Sequence, residues 1–368
     1  VAQKPLTDEQ CQEALDLAKQ HGGVSAAARA IGMPEATFKH RHREAEKRFG
    51  TMVVTGRSTL RDAEGNVVLE WEKTARDAED ARRALEAACE AMCAKLPRIA
   101  PAAPPRATEG HLCTVYTLTD CHVGALAWHK EGGADWDLDI AEETLIGCFK
   151  HMIETSPASE LAVVNQLGDF LHFDGLEAST PTSHHLLDAD GRFDKVVQTA
   201  IRVLRQIVSI ALAKHSRVHV ILAEGNHDLA SSVWLRQMFA ALYENEPRIT
   251  VEQSPLPYYA LEHGKTLLCF HHGHLKKNDQ LPLLFAAQFA EQWGRTTKRY
   301  CHTGHRHHLE EKEHSGMIVL QHPTLAARDA YAARGGWHAL RSAMAVTYHK
   351  SFGEVWRTNA CPDMLRAA

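Results

Sequence analysis

Beyond residue 107 the chain repeats one unit: a short apolar run, a polar knot of Asp, Asn or His, then a helical stretch. Residues 112–119 (LCTVYTLT) end at Asp120-Cys121-His122, and residues 161–167 (LAVVNQL) end at Gly168-Asp169. Residues 218–223 end at Gly225-Asn226-His227-Asp228, and residues 266–270 at His271-His272-Gly273-His274. Residues 299–303 lead into Gly304-His305-Arg306-His307. Apolar runs of this length, separated by helical segments at 140–153 and 192–215, predict buried strands joined by helices. Open α/β sheets bind their ligands at the carboxyl ends of such strands. A strand–loop–helix core is therefore expected, with five polar loops at or near strand ends. After Asp228 a helix and strands near 249–252 and 258–262 are expected, then a helix near 280–293. Residues 308–359 read as mostly β, with hairpins turning at 314–316 and 351–353.

His305 and His307 stand one residue apart, a spacing that suits a metal poorly on a helix but well on a tight turn after a strand. Gly304 is expected to let the backbone bend sharply there. Among 25 histidines such a pair is no better than surface polarity until other ligands match it.

Composition narrows the class. The 368 residues leave room for two domains. A hydrophobic content of 44% and a charged content of 24% fit a soluble globular chain. No apolar run reaches the roughly 18 residues of a membrane span. Nine cysteines without CxxC spacing, and an opening without a signal-peptide pattern, point to free thiols and a cytoplasmic location. The net charge of −5 leaves any nucleic-acid contact to local patches.

One such patch lies near the N-terminus. Residues 7–21 read as an amphipathic helix capped by Thr7 or Asp8. After Gly22-Gly23, Ser25 can cap a short Ala-rich helix ending at Gly32, and Pro34 sits near the first turn of the next. Two helices joined by a glycine turn resemble a DNA-binding helix-turn-helix, with Ala27 and Ala28 allowing close approach. Residues 24–50 hold six Lys/Arg against three Asp/Glu. Lys39, Arg41, Arg43, Lys47 and Arg48 are the expected phosphate contacts. A small helical bundle used for assembly is the alternative. Residues 52–54 and 67–69 flank a turn and predict a β-hairpin. Residues 74–96 predict an Ala-rich helix whose stripe of Ala78, Leu85 and Met92 pairs subunits or packs on a neighbouring domain. The expected organisation is a helix-turn-helix-like module over 1–50, hairpin and helix over 51–96, a Pro-rich linker over 97–106, and the α/β domain over 107–368.

The series D-x-H, G-D, G-N-H-D, H-G, G-H-x-H, in this order over residues 112–322, resembles the calcineurin-like metallophosphoesterase superfamily. The resemblance implies an α/β fold: a β-sandwich core flanked by helices. It implies that Asp120, His122 and His307 bind one divalent ion, that Asn226, His272 and His305 bind another, and that Asp169 bridges them. His227 would assist departure of the leaving oxygen, with Asp228 orienting it. Phosphodiester hydrolysis through a hydroxide bridging the two ions is the implied chemistry. Mixed N/O ligation suits manganese, iron or zinc, with Mn²⁺ the expected ion.

Gly168-Asp169-Phe170-Leu171-His172 is similar to the G-D-x-x-H form of the SbcD-type repair exonucleases, which implies that His172 positions a DNA strand. That branch normally carries a C-terminal capping domain, and residues up to 368 are not expected to form an obvious one. The expected function is thus a two-metal DNA nuclease of mobile-element or phage type, able to form a homo-oligomer through 74–96. A phosphoesterase acting on a nucleotide or other small phosphoester, or a non-catalytic DNA-binding protein, are the alternatives. His271 is expected in the core or behind a ligand, and His274, His302 and His308 on the polar rim. Cys121 and Cys301 are read as small buried residues, and His322 as near the site. Residues 174–194 are expected to form a lid or substrate rim. Arg306, Arg328 and Arg334 are candidates for contact with the phosphate.

Overall fold

The structure, a computed structural model, describes residues 7–21, 23–49, 52–61, 67–76 and 98–366. The chain divides into two compact units, Val1–Leu85 and Glu86–Ala368.

In the first unit, α1 (Asp8–Gln20), α2 (Val24–Ala30) and α3 (Glu35–Phe49) close on a small core of Cys11, Ala14, Ala18, Ala27, Ala28, Phe38 and Ala45. Ala27 and Ala28 are buried, as close helix approach demands. Thr7 starts α1 with a reciprocal cap: Gln10 N–H donates to Thr7 Oγ1 and Thr7 N–H to Gln10 Oε1. Ser25 is not a cap. It lies inside α2 and its hydroxyl donates to Glu35 Oε1 at 2.8 Å. Lys39 is exposed and Arg41 half-exposed on α3; Arg43, Lys47 and Arg48 lie on the same helix. β1 (Met52–Arg61) and β2 (Val67–Arg76) form the expected antiparallel hairpin. Residues 74–76 end β2 instead of opening a helix, and the rest of the expected 74–96 helix lies outside the described residues.

The second unit is a four-layer sandwich. One sheet has six strands: β3 (Glu109–Leu118), β4 (Ser159–Gln166), β5 (Arg217–Leu222), β6 (Ile249–Val251), β12 (Ala343–His349) and β13 (Gly353–Ala360), in the order β13-β12-β3-β4-β5-β6. The four from β3 to β6 are parallel neighbours; β12 and β13 are antiparallel. The other sheet has β7 (Tyr259–His263), β8 (Thr266–Phe270), β9 (Lys298–Thr303), β10 (Glu310–His314) and β11 (Met317–Gln321), in the order β10-β11-β9-β8-β7.

The period-2 alternation of strands assigns the layers. Cys113 and Val115 of β3 face the second sheet, where they share a core with its Leu268, Phe270 and Leu320 and with Tyr348 of neighbouring β12. Tyr116 and Leu118 of the same strand face α4 (Leu138–Thr155), α5 (Phe193–Lys214) and α6 (Leu229–Leu242). α7 (Leu281–Gln288) and α8 (Ala290–Arg295) cover the outer face of the second sheet through Phe285 and Trp293, in place of one helix at 280–293. By length and composition α5 is apolar enough to cross a membrane. Nine of its residues, among them Val203, Leu204 and Ile207, are instead buried. Residues 322–342, expected as β, form a loop with a short helix, Ala330–Arg334. Residues 98–106 have no regular structure and lie against the end of α6, where Ile99 N–H donates to Leu242 O and Arg98 pairs with Glu244.

Candidate metal centre

Five loops at strand carboxyl ends bring the expected ligands together. Three groups of side chains have ligand atoms within 4.8 Å of one another: Asp120, His122 and His307; Asp169, His272 and His305; and His122, His172 and His227. The first two match the expected division into two ion sites, with Asn226 lying outside a grouping of histidines, cysteines and carboxylates.

The backbone at these loops is unusual. Among the described residues six non-glycine residues have positive φ: Asp120, His122, Asp169, His184, His305 and His307. Five of them are expected ligands. Each such residue costs on the order of 1–3 kcal/mol and persists where the surroundings over-determine it. The loops hold that conformation through backbone bonds between motifs: Asp120 N–H donates to Gly168 O, His122 N–H to Asp169 O, and Gly304 N–H to His272 O.

Gly304 plays a different part from the one expected. Its φ is not positive; the neighbouring histidines make the bend. A Cβ at Gly304 would lie 1.9 Å from Thr119 Oγ1 and 2.6 Å from Asp120 Oδ2, so the glycine supplies room for a carboxylate.

Each carboxylate is aimed by hydrogen bonds to one of its two oxygens. Asp120 Oδ2 accepts from the Thr119 hydroxyl at 2.6 Å and from His305 N–H at 2.8 Å. Its Oδ1 is buried without a hydrogen-bond partner, 3.2 Å from His307 Nε2 and 4.0 Å from His272 Nε2. Asp120 thus faces both groups. Asp169 Oδ1 accepts His227 N–H at 2.8 Å, while Oδ2 lies 3.2 Å from His272 Nε2. His272 Nδ1–H donates to Leu167 O at 2.8 Å, which turns Nε2 inward as a ligand tautomer. Asn226 Oδ1 and His272 Nε2 are also buried and unpartnered.

A buried carbonyl or imidazole oxygen or nitrogen without a partner costs free energy. A cluster of such acceptors, aimed at one another around two carboxylates, fits divalent cations. The electrostatics agree. Burial opposes positive charge on His272, but Asp169 and Asp120 override it and raise the imidazole to about 9, which marks the negative field a cation would meet at Nε2. Burial would raise Asp120, yet His307 and His272 hold it below the ordinary carboxylate range. The site demands positive charge, and its mixed N/O donors suit manganese, iron or zinc as the ion that supplies it.

Two expected roles change. Asp228 does not touch the His227 ring. Its carboxylate accepts four backbone N–H groups, from Gly225, Asp169, Phe170 and Leu171, and so ties the second and third loops together. Burial, then the charges of Asp169 and Asp174, push it up to about 7. His227 is instead held by His172, whose carbonyl accepts from Nδ1 at 2.8 Å. His172 itself is 3% exposed, which removes it from direct contact with a strand. Its Nδ1 lies 3.2 Å from His122 Nδ1, and its ring stacks on His227 at 5.6 Å. It positions two site histidines.

The neighbours also sort themselves. His271 is buried with Nδ1 bonded to Pro257 O, and His308 is on the exposed rim. His302 is not on the rim: it is fully buried and joins His322 at 2.8 Å and Tyr348 at 3.1 Å. His274 packs against His272 and His305. Cys121 and Cys301 are buried. Arg306 and Arg334 are exposed, while Arg328 is spent on the carbonyls of Gly132 and Trp337. In the 174–194 segment Asp174 accepts from Ala230 and Ser231 at the start of α6, and Leu176 and Leu186 are exposed. Thr119 and Thr324 were missed as supports of Asp120. Thr119 adjoins it in sequence and was findable; Thr324, whose hydroxyl donates to Asp120 O, lies 204 residues away and leaves no local signal.

No family model matches the chain, and no curated protein does. Solved structures resemble it at low identity. A conserved uncharacterized protein, a predicted phosphoesterase from Streptococcus pneumoniae TIGR4, is 13% identical, with 68% of this chain and 91% of that one covered and a TM-score of 0.31. A dimetal phosphatase from Danio rerio is 9% identical over 67% of this chain and 98% of its own, TM-score 0.38. Vps29 complexed with zinc from Entamoeba histolytica is 15% identical over 67% and 98%, TM-score 0.30.

Proposed function

We propose that the chain is a two-metal phosphodiesterase that cleaves DNA. The observation that carries the hydrolytic reading is the concentration of left-handed backbone at five of the expected ligands, whose side chains converge on buried, unpartnered acceptor atoms. Strain of this kind is retained where a site needs it. Asp120, His122 and His307 would hold one ion, and Asn226, His272 and His305 the other, with Asp169 between them. Two divalent ions, Mn²⁺ foremost, would supply a nucleophile at neutral pH and neutralise the phosphoryl oxygens.

The remaining steps belong to the chain. Asp169 spends Oδ1 on His227 N–H, which fixes the distance between the ion site and the imidazole. His227 is half-buried and commits Nδ1 to the His172 carbonyl, leaving Nε2 to meet the substrate. As the imidazolium, protonated on both nitrogens, it would pass the Nε2 proton to the departing oxygen and keep the Nδ1 proton on the His172 carbonyl. His172 keeps both His122 and His227 in place. The DNA part of the reading is supported by exposed Lys39 and half-exposed Arg41 on α3.

The test uses metal-stripped protein reloaded with Mn²⁺ and three substrates: bis-(p-nitrophenyl) phosphate, p-nitrophenyl phosphate and end-labelled DNA. DNA loss that disappears in Asp169→Ala and His227→Ala supports the nuclease. Monoester turnover with intact DNA replaces it with a small-phosphoester enzyme. Tight DNA binding without turnover of any substrate replaces it with a non-catalytic binder.

A further inference from the structure

Two loops beside the first ligand group carry large aromatic side chains on open surface. Trp128 is 51% exposed, Tyr331 72% and Trp337 58%. Both loops are anchored on the ligands. In the first, Ala125 N–H donates to His122 O at 2.9 Å and the Trp136 indole to the same carbonyl at 3.4 Å. In the second, the Thr324 hydroxyl donates to Asp120 O at 2.6 Å.

The loops are also fastened to each other. Ala125, Ala127 and Trp136 from one share a small core with Ala326 and Ala327 from the other. At Gly132 the two backbones touch: a Cβ there would lie 1.9 Å from Arg328 O. The Arg328 guanidinium donates to Gly132 O at 3.3 Å and to Trp337 O at 3.4 Å. The result is one ledge adjoining the Asp120–His122 motif, with Tyr331 and Trp337 edge to face at 5.3 Å and Trp128 on the facing loop.

Cations stand beside the rings, although Glu131, Asp135 and Asp329 leave the ledge without a net positive charge. Lys130 lies 5.0 Å from the Trp128 ring centroid, and Arg334 is exposed. The nearby carboxylates are largely engaged: Asp135 accepts from His129, and Asp329 caps Ala332. Glu131 is exposed as a counter-charge. Aromatic rings beside cations, next to a phosphate-cleaving centre, suit bases that have left their stack. Bases inside an intact duplex present no face to such rings.

Resting on the DNA reading above, we propose that this ledge is a stacking platform for the unpaired bases of a nucleic-acid strand whose phosphate enters the metal centre. The chain then prefers single strands or frayed ends to blunt duplex.

The experiment compares full-length, Mn²⁺-loaded wild type with Trp128→Ala, Trp337→Ala and Trp337→Phe. Substrates are a single-stranded oligonucleotide, a blunt hairpin of the same sequence, and bis-(p-nitrophenyl) phosphate. The alanine variants are expected to raise KM for the single strand about tenfold, with kcat within about twofold. KM for the hairpin moves less than about twofold, and Trp337→Phe restores most of the loss because it keeps a ring to stack on. A KM increase shared equally by both DNA substrates and by the Phe variant, with a lower melting temperature, means the rings only hold the loops and overturns the platform. Unchanged DNA kinetics in all variants also overturns it, and leaves the ledge for a protein partner. Wild type that hydrolyses the chromogenic diester but neither DNA substrate sinks the DNA reading itself.

Discussion

Gly304 is a place where a single methyl group strikes the support of a ligand. The Cβ of Gly304→Ala would sit 1.9 Å from Thr119 Oγ1, the hydroxyl that aims Asp120. Loss of such a support typically costs 10–100-fold in metal affinity. Titration calorimetry with Mn²⁺ is expected to show about that loss; unchanged affinity would mean that the turn yields freely. Asp228 makes a second residue-scale prediction. In Asp228→Asn an amide NH₂ replaces one acceptor among four backbone donors. Leaving those donors short costs on the order of 2–3 kcal/mol, visible as a lower urea midpoint. A residue working through His227 would instead leave the midpoint in place and move the pH–rate profile.

At the scale of elements, His215 ends α5 beneath the six-stranded sheet. It accepts from the Tyr116 hydroxyl of β3 at 2.9 Å and donates from Nδ1 to Ser159 O of β4 at 2.9 Å. Burial lowers it to about 4, with Lys214 also disfavouring the charge. The unfolded chain takes up this proton near 6.5, so stability is complete above that pH and falls as pH drops towards 4. The full loss is about 3 kcal/mol. His215→Gln should flatten the pH dependence of the denaturation midpoint between those limits; a slope as steep as wild type would place the titration elsewhere. The strands around His215 were legible in the sequence to within a few residues, because their apolar runs and glycine-marked ends are local. So were the ligand loops, because each motif is contiguous. What escaped was long-range. Asp228 stands next to His227, and adjacency suggested a partnership, but its carboxylate turns to the backbone of another loop. His302 stands beside a buried Cys301 yet is itself buried, because Tyr348 of β12 and His322, just past β11, complete its bonds. Residues 322–342 carry enough apolar side chains to resemble strands, but Asp329 caps a short helix there.

For the molecule as a whole, the strained ligand loops make stability depend on metal. Mn²⁺ at a hundred times its Kd adds about 2.7 kcal/mol, or roughly 5 °C in Tm. A melting curve that ignores Mn²⁺ and EDTA alike would contradict the centre described above. The first unit is tested by salt. If Lys39 and Arg41 each meet a phosphate, Lys39→Ala and Arg41→Ala should each reduce the slope of log K against log salt by about 1; parallel lines would assign α3 to assembly. The ligands also come from both halves of the sandwich. Asp120, His122, Asp169 and Asn226 follow strands of the six-stranded sheet, and His272, His305 and His307 follow β8 and β9 of the other. An ion pair held there acts as a rivet through the seam between the sheets. Chelation should therefore be felt at the seam first: amide hydrogen exchange in β8 and β9 quickens, while the middle of α5, behind the far face, keeps its protection.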